Sequence, residues 1–143
     1  MDPPYGYGFV LPQGWEVTSL RLNTRPELRI SASNKGSTAS STELWVSIDT
    51  MHRNLDTHLE SKLYSYDQLF GFTIQRQGQM TNSRGTTLGY VEYSGDYLGS
   101  SIHTYEAYFV SDAGLVELEF HDELDGAWVA IHSIVDSVYL LNP

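Results

Sequence analysis

Two overlapping groups of residues near the end of the chain have types and spacings that could do chemistry. His121-Asp122-Glu123-Leu124-Asp125 sets one imidazole and three carboxylates almost side by side. Carboxylate oxygens suit calcium, magnesium or manganese, and the imidazole shifts the preference toward manganese or zinc. The candidate ligands for a divalent cation are therefore His121, Asp122, Glu123 and Asp125. The group lacks EF-hand spacing and has no second histidine at helical distance. Its plainer role is to cap a helix, with Asp122, Glu123 or Asp125 meeting free backbone N–H groups at the positive dipole end.

Just upstream, Glu117, Glu119 and His121 alternate with Val116, Leu118 and Phe120. Period-two geometry puts the glutamates and the histidine on one side of a strand. Like charges two residues apart raise each other's proton affinity when partly buried, which is the condition acid–base catalysis uses. On an open face they are simply solvated, and the apolar partners already supply a core side. Exposure is therefore the expectation, and it reverses if a helix covers both faces of the sheet.

A third group is aromatic: Tyr90, Tyr93, Tyr97, Tyr105, Tyr108 and Phe109. Tyrosine offers large contact area at low entropic cost and is common on recognition surfaces, but it is also an ordinary sheet residue paired across strands. Combined with the acids, the group nominates Glu92, Tyr93, Glu106, Tyr108, Glu117 and Glu119 as a partner-binding surface. His52, His58, His103 and His132 stand alone in sequence and read as loop or helix-surface residues. There is no cysteine, no Gly-x-Ser-x-Gly elbow, no His-Glu-x-x-His and no glycine-rich phosphate loop. No catalytic residue and no cofactor is assigned beyond that possible divalent cation.

These residues need elements to position them. Phe9 and Leu11 lead into Leu11-Pro12-Gln13-Gly14, which reads as a type I turn with Pro at its second position, and Trp15 follows as a buried anchor. Strands are expected around Val17–Leu22 and Leu28–Ser33, then an exposed loop over Asn34–Thr42. Leu44, Val46 and Ile48 alternate with Trp45, Ser47 and Asp49 as a strand with one apolar face. The period then becomes helical, with Leu55, Leu59, Leu63 and Tyr66 forming a stripe that ends at Leu69, Phe70 and Gly71. Thr57 and Glu60 have capping-box spacing, and Gly71 supplies a left-handed stop. Strands are expected at Phe72–Gln77, Thr86–Gly95, Ile102–Ser111 and Leu115–His121. Their connections are too short for parallel crossovers, so they form an antiparallel meander. Trp128, Ile131, Val135 and Val138 recur at helical spacing behind an acidic start at Glu123 and Asp125.

That order carries a resemblance. Phe9-Val10-Leu11-Pro12-Gln13-Gly14-Trp15 resembles the opening F-x-x-P-x-G-W of the PsbP-like and Mog-like superfamily, which includes DcrB-like and LpqN-like lipoproteins. The mid-chain helix, the turn at Asn82–Gly85, the Tyr105–Val110 and Leu115–Phe120 strands, and a last helix with Ser137 near its end agree with it. The resemblance spans nearly the whole chain. It implies an α+β fold in which an antiparallel sheet is flanked by helices on both faces, usually without catalysis. The stretch Glu16-Val17-Thr18-Ser19-Leu20-Arg21 lacks the signature of the Ran-binding Mog branch, so the lipoprotein and PsbP-like branch is the closer fit.

Composition agrees with a single domain over residues 1–143. A chain of this length hides roughly 68–70% of its unfolded surface, enough for a core without disulfide or metal. Charge then narrows the partners. Eight basic residues against eighteen acidic ones give a net charge of −10, which excludes nonspecific nucleic-acid binding. The excess is uneven: residues 86–143 contain no Lys or Arg but hold Glu92, Asp96, Glu106, Asp112, Glu117, Glu119, Asp122, Glu123, Asp125 and Asp136. An acidic, tyrosine-rich second half suits a basic protein partner, a divalent ion, or solubility alone, the last being the default. The opening Met-Asp-Pro-Pro has neither a basic n-region nor an apolar h-region, and no stretch is long enough to cross a bilayer. Two lysines, ten tyrosines and many Ser and Thr fit an exported or lipid-anchored domain whose targeting segment has been trimmed, with a cytoplasmic protein as the alternative, and the absence of cysteine fits either. The expected function is a non-catalytic binding or assembly module. The competing expectation is an ion-dependent protein or small enzyme using Glu117, Glu119, His121 and the Asp122, Glu123 and Asp125 cluster.

Overall fold

Strict alternation in the apolar residues builds the centre of the molecule. In a computed structural model describing residues 6–22, 28–34, 42–49, 53–121 and 128–141, with backbone alone for 16–22 and 28–34, seven strands form one sheet. They are β2 (Trp15–Leu22), β3 (Leu28–Asn34), β4 (Glu43–Asp49), β5 (Thr73–Thr81), β6 (Thr87–Tyr97), β7 (Ser100–Ser111) and β8 (Gly114–His121). Their spatial order is β2-β3-β4-β8-β7-β6-β5 and every pairing is antiparallel. The last four strands are the expected meander. β4 joins them by pairing with β8, with Val46 opposite Leu118 and Glu43 opposite His121.

Because successive side chains point to opposite faces, one strand feeds two cores. Leu44, Val46, Ile48, Tyr105, Ala107, Phe109, Val116, Leu118 and Phe120 pack with Ile131, Ile134, Val135 and Val138. The last helix, α2 (Trp128–Ser137), lies on that face. Burying Ile131, Ile134 and Val135 contributes about 1.5–3 kcal/mol each. Val91, Tyr93, Tyr108 and Leu115 face the other way and meet Leu59, Tyr66 and Phe72. The second helix, α1 (Leu55–Tyr64), covers this face and runs on as a π-helical turn over Ser65–Leu69. The expected α+β sandwich, helices on both faces of an antiparallel sheet, is the fold observed.

Three local readings are corrected. Trp15 N donates to Pro12 O and Gly14 has φ +91°, so the turn begins one residue later than expected, with glycine at its third position. The cap of α1 is Asn54, whose Oδ1 accepts from Thr57 N at 2.9 Å, rather than a Thr57–Glu60 box. The helical stripe after Tyr64 is wound as a π turn before Gly71, at φ +67°, stops it. The expected loop over Asn34–Thr42 falls largely on residues outside those described, as does the acidic start of α2 at Glu123 and Asp125.

The F-x-x-P-x-G-W segment works as a clip. Phe9 and Trp15 enter the α2-side core, and Val10 N donates to Ser137 Oγ at 2.8 Å. Around it β1 (Tyr7–Gly8) pairs with β9 (Tyr139–Leu140) in a small second sheet. The β5–β6 hairpin closes the end of α2: Asn82 Nδ2 donates to Val135 O and Val138 O, while its Oδ1 accepts from Arg84 N and Thr86 N. These bonds satisfy helix-terminal carbonyls that would otherwise be left bare.

Candidate functional site

The glutamates of the second half separate by the parity of their strands. Glu106 on β7 faces α1 and is 0% exposed. Three phenols close on its carboxyl group: Tyr66 from the π turn donates at 2.7 and 2.8 Å, Tyr93 from β6 at 2.5 Å, and Tyr108 from β7 as well. Burial, with Glu119 directly across the ladder, raises Glu106 above the ordinary carboxylate range, and the three phenols pull against that rise. Burial and then the Glu106 charge push Tyr66, Tyr93 and Tyr108 well above the ordinary phenol value. Tyr66 and Tyr93 stack with centroids 4.0 Å apart, and Phe72 stacks on Tyr93 at 5.4 Å.

Glu117 shares this face, with Oε1 2.7 Å from His58 Nε2 and 3.6 Å from Lys62 Nζ, both on α1. Burial works to raise its pKa, but the His58 bond and the Lys62 charge outweigh it and hold Glu117 below the usual range. At the end of β8, the His121 ring lies tilted against Trp45, centroids 4.5 Å apart, and 3.6 Å from Glu119. Helix α1 holds Glu117, and Trp45 and Thr104 lie against His121, so the exposure expected for Glu117, Glu119 and His121 is replaced by half-burial with partners. Asp122, Glu123 and Asp125 lie outside the described residues. Among the described residues no three His, Asp or Glu side chains converge on a common metal position.

The partner surface proposed from sequence is corrected in the same way. Glu92, Tyr93, Glu106 and Tyr108 are buried, and only Glu117 and Glu119 reach solvent in part. The exposed acids of the second half that are described, Asp96, Asp112 and Asp136, sit on two different hairpins and on α2. They do not make one face.

On the α2 side the arrangement is open. Glu92 is 3% exposed and takes Arg76 Nε at 2.8 Å and His103 Nε2 at 2.6 Å. This double anchor holds the Arg76 guanidinium 5.0 Å above the Trp128 ring. Beside it Tyr90 and Tyr105 lie nearly parallel, 6.1 Å apart at 14°. Burial pushes the Tyr105 phenol up to about 12. A cleft of about 200 Å³ opens here, lined by Arg76, Met80, Tyr90, Tyr105, His132 and Val135. Its chemistry is that of an aromatic-walled groove with one cation at the rim.

Sequence reasoning missed four members of these sites. His58 and His103, read as isolated, each meet a glutamate, and helix spacing or strand parity alone could not pair them. Tyr66 reaches Glu106 across forty positions of sequence. Arg76 showed no signal beyond its charge.

The fold has known counterparts. The cyanobacterial PsbP protein CyanoP from Synechocystis sp. superposes with a TM-score of 0.60 at 10% identity, covering 94% of this chain and 86% of that one. PA94 from Pseudomonas aeruginosa, a protein of unknown function, gives 0.63 at 12%, covering 92% and 94%. This is a PsbP-like fold. A protein from Bacteroides thetaiotaomicron gives 0.55 at 7%, covering 94% of this chain but 44% of its own. No family model matches the chain, and no curated protein matches it in sequence.

Proposed function

We propose that this protein is a non-catalytic binding module that seats a planar or aromatic group of a protein partner in the Arg76–Tyr90–Tyr105–His132 cleft. The observation that carries the reading is the Glu92 anchor. A buried carboxylate spent on fixing a rim arginine over an indole makes a preorganised, cation-bearing aromatic groove. The groups best suited to turnover are engaged elsewhere: Glu106 lies under three phenols and Glu117 is tied to α1. The PsbP-like fold of CyanoP and PA94 is compatible with a binding role. We place the domain outside the cytoplasm, exported or tethered, on its two lysines, ten tyrosines and many Ser and Thr; no helix of the described residues is long and apolar enough to cross a membrane. Fractionation of host cells checks that placement.

The test of the cleft is a photo-crosslinking amino acid at exposed position 132 in living host cells. One discrete protein adduct that disappears in Arg76→Ala is expected. No adduct, or one indifferent to Arg76→Ala, rejects the cleft as the binding site.

A further inference from the structure

At the end of the sheet where β6 turns into β7, four large side chains stand in solvent together. Leu98 is 88% exposed and Leu69 67%, and Phe70 and Tyr97 are each about half exposed. Phe70 meets Tyr97 edge-on at 5.9 Å and stacks on Phe72 at 5.3 Å, so the patch is backed by the aromatic ladder that continues to Tyr93 and Tyr66.

Leu98 is doubly disfavoured where it stands. Tyr97 pairs with Ser100, leaving Leu98-Gly99 as a two-residue turn with φ of +51° and +82°. Such a turn favours asparagine first and glycine second, because a branched side chain crowds a left-handed backbone. A leucine here gains no core contact and strains the turn. Its neighbours show what would cover it: residues 64–74 and 94–102 hold Asp67 and Asp96, both exposed, and no Lys or Arg. That local charge repels an anionic bilayer and a second copy of the same tip, and it attracts a cationic rim.

We infer that the Leu69–Phe70–Tyr97–Leu98 tip is a docking surface for a partner protein that offers an amphipathic helix, apolar on one face and edged by lysine or arginine. The surface uses none of the cleft residues and stands or falls independently of the proposed function.

The experiment titrates the isotopically labelled full chain with an amphipathic helical peptide carrying leucines on one face and lysines on the other. Amide shifts concentrated at Leu69, Phe70, Tyr97 and Leu98, with affinity falling as salt rises, are the expected result. Leu98→Asn should weaken the peptide about tenfold or more while its Tm is equal or higher, since asparagine suits the turn; Arg76→Ala should bind like the parent. Shifts elsewhere, equal affinity for the glutamate version of the peptide, or undiminished binding by Leu98→Asn would overturn the inference. So would binding of the tip to neutral phosphatidylcholine vesicles in its place, or concentration-dependent self-association lost in Leu98→Asn.

Discussion

The two faces of the central sheet are each covered by one helix, yet they reach burial by different chemistry. Under α2 the core is apolar, with Phe109, Phe120, Leu118 and Ile131 fully buried, and the buried carboxylate on this side, Glu92, lies at the rim, paired with Arg76 and His103. Under α1 a carboxyl group sits in the middle, held by three phenols, with a second glutamate tied to His58 and Lys62. Apolar packing is non-directional and insensitive to pH, whereas a buried carboxyl group couples folding to protons. The α2 face can therefore leave an open cleft at its edge without loss of its core, and the α1 face must keep every polar atom paired.

The largest expected effect tests the apolar side. Phe109→Ala should cost about 3–5 kcal/mol, read from chemical denaturation at constant pH. Tyr108→Phe keeps the ring against His58 and removes one donor to Glu106, for an expected loss of roughly 1.5–3 kcal/mol. If the phenol deletion costs as much as the phenylalanine truncation, the contrast between the faces is broken.

The sharper difference is in pH. Glu106 is raised by burial, so its contribution to stability is complete below its ordinary value of 4.5 and declines as pH rises through its folded value. Glu106→Gln should flatten that decline. Glu117 is lowered, so its contribution is present above 4.5 and disappears as pH falls through its folded value. Glu117→Gln should cost about 1 kcal/mol at neutral pH and nothing at acid pH. Denaturation midpoints of the two variants across pH should thus diverge from the parent at opposite ends of the range. Parallel profiles for both would remove the proton-coupled role of the α1 face.

Much of this was legible before the fold was seen. The 3.6 and 2.0 periods of Leu55–Leu63 and Leu44–Ile48 depend on local geometry alone, and so both elements stand where expected, while the last stretch of the helical stripe is wound as a π turn. Boundaries slipped where another residue suited the backbone better: Asn54 caps the helix ahead of Thr57, and Gly14, free to take φ +91°, set the turn one residue on. The expected exposure of Glu117 and Glu119 failed for a different reason. Parity states which residues share a face but not what packs over it.

The alternation of Val116, Leu118 and Phe120 with Glu117, Glu119 and His121, the paired helices and the uneven charge are properties of the chain by itself, because they follow from periodicity and counting. That Glu106 lies beneath three phenols, that Glu92 anchors Arg76 over Trp128, and that Leu98 stands bare at a left-handed turn were decided only by tertiary structure. Each depends on residues far apart in sequence or on a backbone sign that no spacing encodes. Among the described residues, the acidic second half accordingly resolves into buried Glu92 and Glu106 on opposite faces with separate partners, half-buried Glu117 and Glu119 on the face of Glu106, and exposed Asp96, Asp112 and Asp136.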